Sequence, residues 1–319
     1  MTKITIYLGS RCNLDCAYCH RKADVKEPVI SESLLRYLKS IKDLQIRFIG
    51  GEPTLYIDEV KKVVEAVPNA RFGITTNGVL FDRYWEYFLN HHFQVCISFD
   101  GNESLRGYDP FQKVVDYPWL AVSTTLYHGN TDFGKILKAF TEKEKVVGRT
   151  LSFFPHIMHV TSRENEPYAL TREDFISILS QWKEAVAEYV EDYETYGVVN
   201  TKYQGLFIGL YQRTKAHYSW GESYCVNHRM GKCDASGRFA SCLYIRDDYL
   251  GEGADAWEKQ RAILPSECRA CPVYDHCGGA CIKSIQHDLE CYFYRRLFAW
   301  WKAFCGRHKE AVEELGGAV

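Results

Sequence analysis

No apolar run in this sequence approaches the roughly 18 residues that a membrane helix needs, so a helical membrane span is excluded. The apolar run nearest the N-terminus, Ile4–Leu8, is too short for a signal peptide. Net charge is scarce as well: 39 Lys and Arg stand against 41 Asp and Glu, leaving −2. A phosphate-binding protein usually shows a basic face, so nucleic acid is not expected as a partner. Repeats and low-complexity segments are also lacking. These absences leave a globular, cytoplasmic protein. Its 46% apolar residues suffice for a proper core, and 319 residues suit one large domain or two ordinary ones. Lys61-Lys62 and Arg295-Arg296 read as solvated surface.

What the chain does have is cysteine, thirteen in all. In the cytoplasm these stay reduced, and closely grouped thiols are then metal ligands or redox groups. Cys12, Cys16 and Cys19 form one group, and eight lie between Cys225 and Cys291. Cys96 and Cys305 stand apart.

The first two-thirds of the chain alternate strand-like and helix-like runs. Strands are expected at Ile4–Leu8, Gln45–Ile49, Ala70–Thr75, Gln94–Phe99, Trp119–Thr125 and Leu151–Phe154. Helices are expected at Ser31–Lys42, Ile57–Val67, Asp82–Asn90 and Asp132–Lys143. Such alternation implies βα units on a parallel sheet, open or barrel-like. Thr171 and Asp174 read as the capping signature of a longer helix, whose stripe Phe175, Leu179, Trp182, Val186 and Tyr189 reads as core. Another helix is expected over Thr201–His217. After Trp220 little regular structure is expected until a final helix from about Tyr292. A second domain is expected from about residue 200.

Cys12-x3-Cys16-x2-Cys19 lies in the loop after the first expected strand. Cubane clusters normally take four thiolates. Three would leave one iron open, as catalytic metal sites leave a position for substrate. A zinc knuckle is the alternative, but it needs a fourth ligand, and His20 is poorly placed to supply one. The run Cys-Asn-Leu-Asp-Cys-Ala-Tyr-Cys resembles the radical SAM superfamily in spacing and in the aromatic residue before the last cysteine. That resemblance implies a [4Fe–4S] cluster whose open iron binds S-adenosylmethionine, with one electron releasing a 5′-deoxyadenosyl radical. Tyr18 would pack near the cofactor, or simply within the loop.

Further motifs fall at expected strand ends, where barrel enzymes build their sites. Gly50-Gly51-Glu52-Pro53 resembles the family segment that binds the amino group of the methionine moiety. Thr75-Thr76-Asn77-Gly78 and Ser98-Phe99-Asp100-Gly101 resemble segments that contact the ribose or carboxylate, with Asn77, Ser98 and Asp100 as the candidates. Asn77 could equally be a turn residue, and Asp100 an N-cap. Strand alternation puts Cys96, Ser98 and Asp100 on one face. Cys96 could therefore donate a hydrogen atom inside the barrel, although a buried thiol is more often an inert small hydrophobe.

The C-terminal spacing is Cys225-x11-Gly237-x4-Cys242, then Cys268-x2-Cys271-x5-Cys277-x3-Cys281-x9-Cys291, with Cys233 in addition. Eight thiolates suffice for two fully ligated cubanes. The gap between the knuckles is shorter than in zinc ribbons. The spacing closely resembles the SPASM domain of radical SAM enzymes that modify peptides and proteins. By position, Cys225, Cys242 and Cys281 would bind a first auxiliary cluster, with Cys233 as its fourth ligand. Cys268, Cys271, Cys277 and Cys291 would bind a second. The expected architecture is then α/β: a partial (β/α)6 TIM-like radical SAM barrel over residues 1–200 and a SPASM domain over 201–319. Three [4Fe–4S] clusters and S-adenosylmethionine are the implied cofactors.

Auxiliary clusters can accept an electron from a substrate radical, which favours a net two-electron oxidation. The resemblance implies a ribosomally made peptide as substrate, encoded nearby, and a flavodoxin or ferredoxin as electron donor. The leading expectation is a thioether or carbon–carbon crosslink. Epimerisation is the alternative, with Cys96, Cys233 or Cys305 as hydrogen donor. Another is a sulfatase-maturase-like side-chain oxidation with His156 as base. The first strand begins by about residue 3, which leaves no room ahead of it for a winged-helix leader-binding module. A non-catalytic metal scaffold or electron carrier would have no need of the cofactor motifs.

Overall fold

The computed structural model describes residues 2–19, 28–114, 117–161, 163–223, 230–240, 242, 249–252, 264–281 and 284–317. The chain is an α/β protein that forms two compact units, of residues 1–99, 103–121 and 225–262, and of residues 100–102, 122–224 and 263–319. These units do not follow chain order, because a late segment packs with the N-terminal strands. The division into a barrel over 1–200 and a cysteine-rich domain over 201–319 is a reading of sequence, and it stays a proposal.

In the first unit, β1 (Thr2–Tyr7), β2 (Leu44–Ile49), β3 (Arg71–Thr76) and β4 (Gln94–Ser98) pair in parallel, in that order. Helices α1 (Glu32–Lys39), α2 (Ile57–Ala66) and α3 (Phe81–Asn90) alternate with them, as the sequence pattern expects. Alternation divides the residues between two faces. Ile4, Ile6, Ile46, Phe48, Phe72, Ile74, Val95 and Ile97 are at most 4% exposed. The opposite face carries Thr5, Arg47, Thr75, Cys96 and Ser98. Phe48, Phe72 and Phe93 stack with ring centroids 5.3–6.5 Å apart, which anchors the apolar side. Ser31 caps α1 by accepting the Leu34 N–H at 3.1 Å.

One region departs from expectation. Where little regular structure was expected, β7 (Met230–Asp234) pairs in parallel with β1, and β8 (Arg238–Ala240) and β9 (Tyr249–Glu252) follow antiparallel. Gly237 makes the turn between β7 and β8 with φ of +87°, and its N–H reaches the Asp234 carbonyl at 3.1 Å.

The second unit holds β5 (Leu120–Leu126) from Val122 onward, paired in parallel with β6 (Phe153–Ile157), together with α4 (Phe133–Val147), α5 (Arg172–Tyr196) and α6 (Gln204–Ala216). It also holds α7 (His287–Arg307) and α8 (Lys309–Gly317). The expected capping box is present: Asp174 N–H donates to the Thr171 hydroxyl at 3.1 Å, and Thr171 N–H to the Asp174 carboxylate at 2.8 Å. Phe175, Leu179, Val186 and Tyr189 are buried, and Tyr189, Phe207 and Trp301 form an aromatic cluster. The last long helix begins at His287, ahead of the expected Tyr292, so Cys291 lies inside it. Asp288 and Glu290 in its first turn suit the positive end of the helix dipole. None of the described helices is long and apolar enough to cross a membrane.

Candidate active site

The C-terminal ends of β1 to β4 share one edge of their sheet, and the segments that follow meet there. Gly51 N–H donates to the Gly9 carbonyl at 2.7 Å and Glu52 N–H to the Arg11 carbonyl at 2.8 Å. A methyl group added at Gly51 would strike the carbonyl oxygens of Ser10 and Arg11, so only glycine allows this backbone approach. Arg11 N–H is held by the Tyr56 hydroxyl at 2.8 Å. The cysteine loop is therefore seated on the Gly50–Pro53 turn before any cofactor is considered.

On that loop Cys12 and Cys19 are exposed and Cys16 is half-buried. Cys19 N–H turns back to the Cys16 carbonyl at 2.9 Å. Although Cys12 is exposed as a residue, desolvation of its sulfur pushes the thiol up; the Leu14 N–H pulls it back, and the charges of Glu52 and Cys19 push it further. Tyr18 is buried. Its hydroxyl accepts from the Arg106 guanidinium, whose carbon lies 5.8 Å from the ring centre. Ala17 N–H also reaches the Leu105 carbonyl at 2.9 Å, so residues 105 and 106 hold the loop from its far side.

Glu52 is fully buried. One carboxylate oxygen accepts the Thr54 N–H at 3.0 Å, the Thr54 hydroxyl at 2.7 Å and the Thr76 hydroxyl at 2.7 Å. The other accepts the Asn77 N–H at 2.8 Å. Burial pushes this carboxyl above its usual range, and those hydrogen bonds pull it back. Pro53 opens a short 3₁₀ turn, Pro53–Tyr56, at the position where its missing N–H costs nothing. The Asn77 amide donates to Asn13 Oδ1 at 2.8 Å and to Cys12 Sγ at 3.6 Å. Asn77 Oδ1 also accepts the Val79 N–H at 3.0 Å, ahead of Gly78 at φ +82°. Asn77 is thus both a turn residue and a contact of the cysteine loop.

Ser98 ends β4 half-buried. Cys96 pairs with Thr75 in register, and its thiol, pushed up by burial, is hydrogen-bonded by Arg47 and Thr75. Asp100 is fully buried and starts no helix. Its carboxylate accepts the Thr125 N–H at 2.9 Å and its carbonyl the Asn130 amide at 3.1 Å, so it braces backbone. His156 lies within β6 rather than after it, exposed and paired with Thr125.

The structure brings four of the C-terminal cysteines together. Burial first, then the charges of Cys291, Cys277 and Cys271, push Cys268 up to about 11. Burial likewise raises Cys277 and Cys291, with the Cys271 charge adding to each. Cys271 closes a turn onto the Cys268 carbonyl at 3.2 Å, and Cys277 ends the single helical turn Tyr274–Cys277. Cys225 lies outside the described residues, and Cys242 is half-buried. Cys233 sits opposite Ile6 on the apolar side of the sheet at 0% exposure. Burial raises its thiol first and the Asp234 charge second; no other thiol is among the groups that shift it. Cys305 is half-buried in α7, its thiol pushed up to about 12 by desolvation.

Several site residues carry no signal that sequence reasoning could use alone. Thr54 lies beside a recognised motif, and Asn13 and Thr76 within two others, but their bonds to Glu52 and Asn77 exist only in the fold. Arg106 gives no signal at all.

Comparisons with known proteins show what the chain resembles. Residues 6–116 match the family model of the Radical SAM superfamily. A serine-type anaerobic sulfatase-maturating enzyme of Klebsiella aerogenes is 21% identical, the match covering 92% of this chain and 83% of that protein. A shorter match, 30% identical over 91 residues, is to an Archaeoglobus fulgidus protein described as a probable GTP 3′,8-cyclase, of which the chain spans 31%. The solved structure of native anSMEcpe with bound AdoMet and Kp18Cys peptide shares the fold at a TM-score of 0.69 and 20% identity, covering 98% of this chain and 99% of that one. Streptococcus suis SuiB bound to precursor peptide SuiA shares it at 0.56 and 16% identity, covering 88% and 72%.

Proposed function

The chain carries a Radical SAM domain and is an enzyme, and from that premise we propose that it oxidises a ribosomally made peptide by two electrons. The observation that carries this reading is the convergence of Cys268, Cys271, Cys277 and Cys291. A second metal centre in the same chain gives an electron somewhere to go.

The family implies one [4Fe–4S] cluster and S-adenosylmethionine. Three thiols on one short loop, with Cys19 close enough to bear on Cys12, fit such a cluster with one open iron. Bound there, it would supply the reductive cleavage of S-adenosylmethionine to methionine and a 5′-deoxyadenosyl radical. The protein's own part is positional. Gly50 and Gly51 let the cofactor approach backbone, Glu52 fixes that turn, and Asn77 ties it to Cys12. Ser98 and Tyr18 border the same edge. Burial and donated hydrogen bonds around Cys277, from the Gly279 and Ala280 N–H groups, suit a closed cluster whose potential the protein sets.

The reading takes three [4Fe–4S] clusters: one at Cys12, Cys16 and Cys19, one at Cys268, Cys271, Cys277 and Cys291, and, on the spacing of the sequence alone, one that includes Cys225, Cys242 and Cys281. A flavodoxin or ferredoxin would supply the electron, in the cytoplasm. The favoured product is a thioether or carbon–carbon crosslink, in keeping with relatives seen bound to peptides. A second reading, oxidation of a serine or cysteine side chain with His156 as base, is favoured by the near full-length match to a sulfatase-maturating enzyme. Epimerisation would need a thiol donor; Cys96 lies on the polar face of its sheet, Cys233 is buried on the apolar side, and Cys305 is half-buried beside Lys215 and Glu313.

The test is anaerobic. Iron-reconstituted enzyme is incubated with S-adenosylmethionine, reductant and the peptide encoded by a neighbouring gene in deuterated water, and the product is weighed. Loss of two hydrogens is the expected result. An aldehyde reagent then separates side-chain oxidation, which reacts, from a crosslink, which does not. Gain of one deuterium without that loss overturns the oxidative reading and makes the enzyme an epimerase.

A further inference from the structure

The segment that leaves α6 and the single helical turn Tyr274–Cys277 meet within the second compact unit. Tyr218 N–H donates to the Asp275 carbonyl at 2.8 Å, which fastens the two together. Three side chains stand beside that bond. A ring nitrogen of His217, a ring nitrogen of His276 and a carboxylate oxygen of Asp275 all lie within 4.8 Å of one another. His276 Nε2 is 3.4 Å from Asp275 Oδ2, and the two imidazole ring centres are 5.6 Å apart. The His276 side chain is only 13% exposed, yet neither of its nitrogens makes a hydrogen bond to a described residue. A largely buried imidazole in that condition calls for another partner, water or an ion. His217 is held at φ +46° and ψ 73°, a left-handed backbone that few residues with a side chain adopt and that recurs at ligand clamps.

We propose that His217, Asp275 and His276 bind a divalent metal ion of the zinc type. Two imidazoles and one carboxylate are a ligand set that zinc accepts, whereas calcium and magnesium favour oxygen alone. Ligand atoms at zinc bonding distance stand about 3.5 Å apart around a tetrahedron. His276 Nε2 and Asp275 Oδ2 already have that spacing. His217 and Asp275 are exposed, so the His217 ring can turn to close the remaining distance, and water can take the fourth position. Bound there, the ion staples the end of α6 to the turn that carries Cys277. None of its ligands is a cysteine, so the site stands apart from the cluster reading.

The test uses the full chain, reconstituted anaerobically with iron and sulfide so that its cysteines are occupied. The protein is dialysed against micromolar Zn²⁺ and then against zinc-free buffer. Its metals are counted and its zinc K-edge X-ray absorption spectrum is recorded. The expected result is one zinc per chain in a shell of nitrogen and oxygen at about 2.0 Å, without sulfur at about 2.3 Å, and an iron count that the zinc leaves unchanged. His217→Asn keeps a side chain that tolerates left-handed backbone but removes the imidazole, and Asp275→Asn removes the charge. Each should weaken zinc binding roughly tenfold or more, with iron content and 5′-deoxyadenosine formation as in the wild type. Wild-type protein that retains no zinc, zinc found only in a sulfur shell, or undiminished zinc in His217→Asn overturns the proposal. The zinc readouts do not depend on turnover, so a failure to form 5′-deoxyadenosine would count against the proposed function alone.

Discussion

Replacing Cys12, Cys16 and Cys19 together with alanine is expected to reduce 5′-deoxyadenosine formation to background while most of the iron stays bound. The loop offers three thiols, and a cluster needs at least those three to leave a single iron open. Removing them leaves that cluster without a thiolate. The remaining backbone should be unaffected, because the loop is seated by groups other than sulfur: the Gly51 and Glu52 N–H bonds, Tyr56 with Arg11, and Arg106 with Tyr18. Iron should fall by about a third, the share of one cubane among three. Liquid chromatography of the nucleoside products and an iron assay read both quantities. Undiminished 5′-deoxyadenosine in this variant would remove the N-terminal loop from the chemistry.

Glu52→Ala is expected to be the most destabilising single change in the first unit. It strands two backbone N–H groups and two hydroxyls in a buried site, where Thr54 and Thr76 are each 1% exposed. An unsatisfied buried donor costs roughly 1–3 kcal/mol, and some of these can turn to other acceptors, so a loss of about 3–5 kcal/mol is expected. Denaturant unfolding of the apoprotein measures it. Glu52→Gln separates stability from function. Its oxygen can serve the Thr54 and Thr76 donors, but its NH₂ then faces the Asn77 N–H. That variant should lose roughly half as much stability and still bind S-adenosylmethionine poorly, because Asn77 is the link from this turn to Cys12. Wild-type stability in Glu52→Ala would show that the turn is held by backbone alone.

Much of this was legible before the fold. The six strands and four helices of the alternating region are each close to their expected bounds, because period-2 and period-3.6 apolar patterns were strong there. Thr171 and Asp174 announced a capping box that is present. The cysteine spacings and Gly50–Pro53 singled out two segments that the structure seats against each other. Other features had no local signal. Met230–Asp234 lacks apolar alternation, and its strand exists because β1 offers a parallel partner far away in sequence. Asn13, Thr54 and Arg106 act through bonds to residues brought near by folding. His217 lies far from Asp275 and His276 along the chain, and no spacing rule joins them. Cys233, read from spacing as the fourth ligand of the first auxiliary cluster, is set opposite Ile6 by a register that spacing does not reveal.

The central claim is that the loop from Cys12 to Cys19 holds an iron left open for S-adenosylmethionine. Its most direct test is the electron paramagnetic resonance spectrum of the reduced, reconstituted wild-type protein with and without S-adenosylmethionine. The account predicts that the cofactor shifts one component of the spectrum, the component missing from the Cys12, Cys16 and Cys19 alanine variant. A wild-type spectrum unchanged by saturating S-adenosylmethionine would contradict it.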